Sequence, residues 1–202
     1  MSNTQKIVIP STGQEYKIIR EAVTWSEAVA NSIVYGGNLA QFETDLELQN
    51  FWDAFSSSEF FENLDQEVET SAADERGIKY LWLGANDANT EGTWKWIQDF
   101  GDGVDLNIDN SIWGDSNFDD NKDSLAIALE DWKDNLNEEI LGIAGQWNDL
   151  NSNTNKLYYL VEGPFEESDY PNVVYTNSIT SETRTYEEMI AAGWIALTEE
   201  NY

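Results

Sequence analysis

Leu81-Trp82-Leu83-Gly84-Ala85-Asn86-Asp87-Ala88-Asn89-Thr90-Glu91-Gly92 is an apolar strand that breaks into a polar turn carrying two acids. The same design returns twice downstream. Trp113-Gly114-Asp115-Ser116-Asn117 leads towards Asp123, and Trp147-Asn148-Asp149 closes the series. Carboxylate and amide oxygens are the ligands that hard cations take, and loops can converge them from distant positions. One such loop is a solvated turn, because Asn and Asp favour turns for their own local reasons. Three of them at strand ends point to one calcium-binding surface.

The composition narrows the chemistry. The 202 residues suffice for one domain with a short appendage, and 41% are hydrophobic, so a core can be buried. Cysteine and histidine are both absent from the sequence. This removes disulfides, thiol nucleophiles, thiolate zinc sites and the commonest general base. A bound metal should therefore be held by oxygen. The net charge of −29 opposes contact with nucleic acid or with an anionic membrane surface. It suits a calcium-rich or saline extracellular or cell-surface setting, where cations screen the repulsion. Direct membrane insertion is not expected, since no stretch approaches the ~20 apolar residues of a span.

The remaining segments fall into a coarse order. Lys6–Ile9 and Tyr16–Ile19 flank a Pro-Ser-Thr-Gly turn and read as two strands. Thr24 and Glu27 form a capping-box pattern, and Trp25, Ala28, Val29 and Ile33 follow at helical spacing. Thr44 and Glu47 repeat the box before Leu48, Phe51, Trp52 and Phe55. The acidic run Ser56–Gly77 reads as a loop insertion with little structure of its own, pinned by Phe60 and Phe61. Strands are expected at Tyr80–Leu83, Trp94–Ile97, Leu125–Leu129 and Tyr158–Val161. Residues 1–165 make the domain. Residues 166–202 form a C-terminal extension, docked or flexible, with a helix expected over Tyr186–Leu197.

Two helices followed by strands and long acidic loops, with these landmarks in this order, resemble a C-type lectin-like domain. The likeness runs from Ile7 to Gly163 and rests on Trp25-Ser26-Glu27-Ala28, Gly37-Asn38-Leu39-Ala40, Trp82-Leu83-Gly84 and Trp147-Asn148-Asp149. The family's usual cysteines are missing, which resembles its disulfide-free bacterial members. The resemblance implies an α+β C-type lectin-like fold: two helices, two small antiparallel sheets and a long calcium-binding loop.

It also implies ligand residues. Sugar-binding members hold calcium with a Glu-Pro-Asn or Gln-Pro-Asp motif, a later acid and the Asn-Asp after the third tryptophan. By resemblance Asp115 and Asn117 take the first motif, and Asn148 and Asp149 match the last. Ser116 stands where the family has proline. Lys122 stands where many members have glutamate, so either Asp119 or Asp120 supplies the later acid or this primary site is degraded. A second, structural calcium is implied at Asp87, Glu91 and Asp123. Trp113 is open to two readings, a platform for a sugar ring or an anchor for the loop. Glu47 and Glu162 are a further acidic pair.

Two functions follow from the resemblance. One is a calcium-dependent carbohydrate-binding module, an extracellular bacterial adhesion domain, with the acid-then-amide order of Asp115 and Asn117 favouring mannose/fucose-type glycans. The other is a protein-binding scaffold with structural calcium only, which Ser116 and Lys122 favour. No catalytic residues are assigned, since the acids lie in open polar loops without a nucleophile–base pairing.

Overall fold

The computed structural model describes residues 3–97, 104–106, 112–114, 121–133, 140–163, 165, 174–176 and 183–185. Its elements in chain order are β1 (Thr4–Val8), β2 (Glu15–Val23), α1 (Trp25–Val34), β3 (Asn38–Leu39), α2 (Asp45–Phe55), α3 (Glu59–Glu62), β4 (Tyr80–Asn86), β5 (Lys95–Trp96) and β6 (Val104–Asp105). There follow β7 (Ser124–Ala128), β8 (Trp132–Lys133), β9 (Ile140–Gly142), β10 (Trp147–Leu150), β11 (Leu157–Glu162), β12 (Val174–Thr176) and β13 (Thr183–Thr185).

Local chemistry accounts for the helix starts. At α1 the Thr24 hydroxyl accepts from the Glu27 amide and the Glu27 carboxylate accepts from the Thr24 amide at 2.8 Å, completing the capping box. At α2 the box is rearranged. Thr44 accepts from the Glu47 amide at 3.2 Å, but the Glu47 carboxylate reaches one residue further back, to the Glu43 amide at 2.9 Å.

The N-terminal hairpin β1–β2 pairs antiparallel with β11, and β3 adds to the far end of β11. A second antiparallel set is β4–β7–β10, with β5 and β6 continuing from β4. The two sets merge where Tyr158 and Tyr159 of β11 run parallel to Leu81 and Trp82 of β4. Among the described residues nine strands thus share one sheet, where two separate small sheets were expected. Three helices, a hairpin paired to the last body strand and an upper strand set form an α+β architecture.

Both faces of the central strands are buried, as the period of two along β4 requires. Leu81, Leu83 and Ala85 face a cluster with Phe42, Phe51, Phe55, Phe60, Trp96 and Trp147. Tyr80 and Trp82 face the opposite cluster with Trp25, Ala28, Trp132 and Tyr159. The Trp25 indole donates to the Leu83 carbonyl at 2.8 Å and the Trp82 indole to the Val23 carbonyl at 3.0 Å, so the tryptophans also bolt elements together. Gly84 is needed for close approach: a Cβ there would stand 2.6 Å from the Leu39 carbonyl oxygen.

The Ser56–Gly77 insertion is more ordered than its composition suggests. Ser58 caps α3 by accepting from the Phe61 amide at 3.3 Å, and two short 3₁₀ turns follow at Leu64–Gln66 and Val68–Thr70. Phe60 is fully buried against Phe55 and Tyr158. Arg20 reaches across to Glu67 at 3.0 Å with its guanidinium over the Phe60 ring. A few long-range anchors override a polar sequence here. The expected helix over Tyr186–Leu197 lies outside the described residues. Within 166–202 the described residues are the paired strands β12 and β13.

Candidate metal centre

β4 ends at Asn86 and delivers Asp87 into a tight turn. The Asn86 side chain accepts from the Ala88 amide at 3.2 Å, and the Asp87 carbonyl accepts from the Thr90 amide at 2.9 Å. Gly92 closes the turn at a φ of 73°, which a side chain would resist, and its amide donates to Asp87 Oδ2 at 2.8 Å. On the neighbouring strand, Ser124 pairs with Asn86, which sets Asp123 beside Asp87.

The outcome is a group of three carboxylates, Asp87, Glu91 and Asp123, each offering an oxygen within 4.8 Å of the others. Their environments differ: Asp87 is buried, Asp123 half-buried and Glu91 exposed. Asp87 Oδ1 is sealed from solvent and has no hydrogen-bond partner among the described residues. Burial pushes the Asp87 carboxyl up to about 6. The Gly92 amide opposes the shift, and the charges of Glu91 and Asp123 add to it. An orphaned carboxylate oxygen facing two more carboxylates is costly unless a cation joins them. All-oxygen donors suit calcium, which takes 6–8 of them. The residues present therefore fit the ion the sequence implied.

The Asn148 and Asp149 pair stands differently from its expected loop setting. Both lie within β10, opposite Ala126 and Leu125 of β7, and both are 2% exposed. The Asn148 amide donates to the Tyr80 hydroxyl at 3.1 Å. Tyr80 is held well above the ordinary tyrosine range by burial and by the charges of Glu75, Asp74 and Asp149, which the Asn148 hydrogen bond partly offsets. Asn148 is thus buried in the sheet with its amide on the Tyr80 hydroxyl.

Trp113 packs among other tryptophans. It is 7% exposed, with its ring 5.0 Å from that of Trp94 and 5.9 Å from that of Trp147, and the Gly114 amide donates to the Trp147 carbonyl at 3.0 Å. Two other tryptophans thus pack against its ring. Asp115, Asn117, Asp119 and Asp120 lie outside the described residues.

Lys122 meets Glu75 at 2.5 Å. Burial works against its ammonium, yet the Glu75 hydrogen bond and charge, with Asp149 and Asp74, hold it above the ordinary lysine range. Asp74 is itself fixed by the Asn155 amide at 2.6 Å. Sequence reasoning missed Asp74, Glu75 and Tyr80 as neighbours of this region. No spacing rule links a turn of the insertion to β10.

Among the described residues Glu47 and Glu162 belong to no group of three carboxylates within ligand distance. Glu47 accepts from the Tyr16 hydroxyl at 3.2 Å, and Glu162 from the Gln14 side chain and the Gln41 amide at 3.0 and 3.1 Å. Burial pushes Glu162 up to about 7. The Gln41 amide opposes this, and Glu47 and Glu43 reinforce it.

No family model matches the chain. A stretch of 88 residues, 44% of this chain, is 30% identical to halomucin of Haloquadratum walsbyi, and the chain spans about 1% of the length of that curated relative. Among solved structures, the mouse scavenger receptor C-type lectin carbohydrate-recognition domain is similar at a TM-score of 0.48 and 18% identity, covering 83% of this chain and 98% of that one. The C-type lectin CEL-I from Cucumaria echinata gives 0.48 and 15%, covering 82% and 98%. A Ca2+-dependent type II antifreeze protein in its Ca2+-free form gives 0.47 and 12%, covering 81% and 98%.

Proposed function

We propose that this domain is a calcium-dependent recognition module, working outside the cell or on its surface, that binds rather than transforms its ligand. The observation that carries the calcium reading is the buried Asp87 Oδ1, which has no hydrogen-bond partner among the described residues and sits with Glu91 and Asp123. A calcium ion held by these carboxylates would neutralise them and join the turn after β4 to the segment entering β7. The charge of −29 supports a setting rich in cations. Among the described residues no helix is long and apolar enough to cross a membrane.

Two ligand classes divide on Asn148 and Asp149. Direct coordination of a glycan through a second ion needs both side chains at that ion, along with Asp115, Asn117 and Asp119 or Asp120. The Asn148 amide is committed to Tyr80, and Lys122 brings a positive charge next to Asp149. These two facts favour the second reading, a protein surface bound by a scaffold whose calcium is structural. Glycan-array binding with calcium and with chelator tests the choice. Chelator-sensitive binding of mannose- or fucose-type glycans would restore the direct-coordination reading. Calcium titration of the domain tests the ion itself.

A further inference from the structure

β1 ends the sheet, and its pairing shows which of its main-chain groups are open. The register with β2 is antiparallel, from Thr4 opposite Ile19 to Val8 opposite Glu15. In the same register the Arg20 amide donates to the Asn3 carbonyl and the Ile9 amide to the Gln14 carbonyl, both at 2.8 Å. Antiparallel strands exchange hydrogen bonds at every second pair. Asn3, Gln5, Ile7 and Ile9 therefore bond to β2, and the N–H and C=O of Lys6 and Val8 point away from it. Among the described residues no strand pairs with that outer side of β1. Val8 is 46% exposed and the Lys6 side chain 51%. Pro10, the next residue in step, has no N–H to offer and closes the open stretch.

We propose that this edge pairs with the β1 edge of a second copy of the chain, antiparallel and about a two-fold axis. An open strand edge is a template for another strand. Charge and symmetry select the occupant. The chain carries 39 acids, yet residues 1–14 contain none. Two copies at −29 each repel over most of their surfaces, whereas two β1 strands meet without opposing carboxylates. A two-fold pair also closes both open edges at once. A lysine on an edge ordinarily blunts it, but the Lys6 ammonium is held by Glu15 of its own chain at 2.5 Å. With Lys6 opposite the second copy's Val8, lysine does not face lysine, and the Lys6 stem covers the exposed valine. The axis then passes between the two copies of Ile7, each of which stays in its own core. The inference stands apart from the calcium reading.

The test is sedimentation of the full chain up to millimolar concentration, in calcium and at about 1 M salt, where screening acts over about 3 Å. The mass of wild type should double as concentration rises. Val8→Pro should stay monomeric, because it removes an outward N–H and leaves the ladder to β2 intact. A wild type that remains monomeric, a species larger than a dimer, or a dimer that survives in Val8→Pro would overturn the proposal. Should Val8→Pro fail to fold, hydrogen exchange of wild type decides. Protection of the Lys6 and Val8 amides should rise with chain concentration. Protection that is absent throughout, or already complete in the monomer, would reject the pairing.

Discussion

The backbone amide of Asp87 donates to the carbonyl of Asp123 at 3.2 Å. This contact brings two carboxylates together by main-chain pairing, before any ion is present. Repulsion between them is thereby built into the fold and is relieved only by protonation or by a cation. Calcium should accordingly stabilise the domain. A ligand that binds the native state alone adds about 2.7 kcal/mol at a hundredfold excess over its dissociation constant. For a chain of this size that corresponds to a rise of about 5–10 °C in Tm. Melting curves in millimolar calcium and in chelator at matched ionic strength check this, and coincident curves would rule out a tight site.

Asp87→Asn and Glu91→Gln should each weaken calcium binding, and the double variant should lose little beyond the worse single. Both side chains serve one ion on the proposed reading, so their effects cannot add. Asp87→Asn has a second signature. In chelator at pH 7 it removes a buried charge lacking a partner and should leave the domain as stable as wild type or more so. Calorimetry gives the first quantity and denaturant unfolding in chelator the second. A calcium stoichiometry unchanged in the double variant would return these residues to a plain turn.

The pH dependence follows from the same carboxyl. Asp87 is pushed up to about 6 in the folded chain, above its value in an unfolded one. Between about pH 4 and 6 the native state then holds more protons than the unfolded state, so this group's contribution falls as pH rises. Glu162, pushed up to about 7, acts in the same direction over a window reaching slightly higher. In chelator, Tm should therefore be higher at pH 5.5 than at pH 7.5. Calcium should flatten the Asp87 part and leave the Glu162 part, which Glu162→Gln would remove. A chelated domain that gains stability from pH 5.5 to 7.5 would contradict this assignment.

The insertion has its own pin. Arg20 and Glu67 are mostly buried, and the guanidinium also lies over Phe60. Glu67→Ala leaves a buried cation uncompensated, a loss of about 3–5 kcal/mol. Replacing Arg20 and Glu67 together by Met and Leu should cost less than Glu67→Ala alone. Urea unfolding of the variants measures this. A negligible loss in Glu67→Ala would mean that the insertion is held by Phe60 alone.

Residues with a local signature were legible in the sequence. The cap at Thr24 and Glu27, the aromatic face of α2 and the apolar runs of β4, β7 and β11 all depend on neighbours within a few positions. The convergence of Asp87, Glu91 and Asp123 was legible through family resemblance, since two of them share a turn and the third follows from strand pairing. The insertion was not legible. Its order comes from Phe60 and from Arg20, about 40 residues upstream, and contacts at that separation leave no period to read. The same holds for Asn148. Its neighbours Trp147 and Asp149 suggest a polar loop, whereas register with β7 places all three in the sheet.

That placement changes what Asn148 should do when altered. Set in an exposed loop, its loss would leave the fold untouched. Instead, its amide satisfies the Tyr80 hydroxyl at 3.1 Å inside the sheet, beside the charges of Glu75, Asp74 and Asp149. Asn148→Ala removes one partner of a buried pair and should destabilise by about 1–3 kcal/mol. Tyr80→Phe removes the other partner and should cost a similar amount. Since the two share one hydrogen bond, the double variant should cost clearly less than the sum. Denaturant unfolding of the two singles and the double gives the coupling. Additive losses would show that the pair is not coupled. Full stability in Asn148→Ala together with lost glycan binding would show instead that the amide faces a ligand, and would favour direct sugar coordination over the protein-binding scaffold.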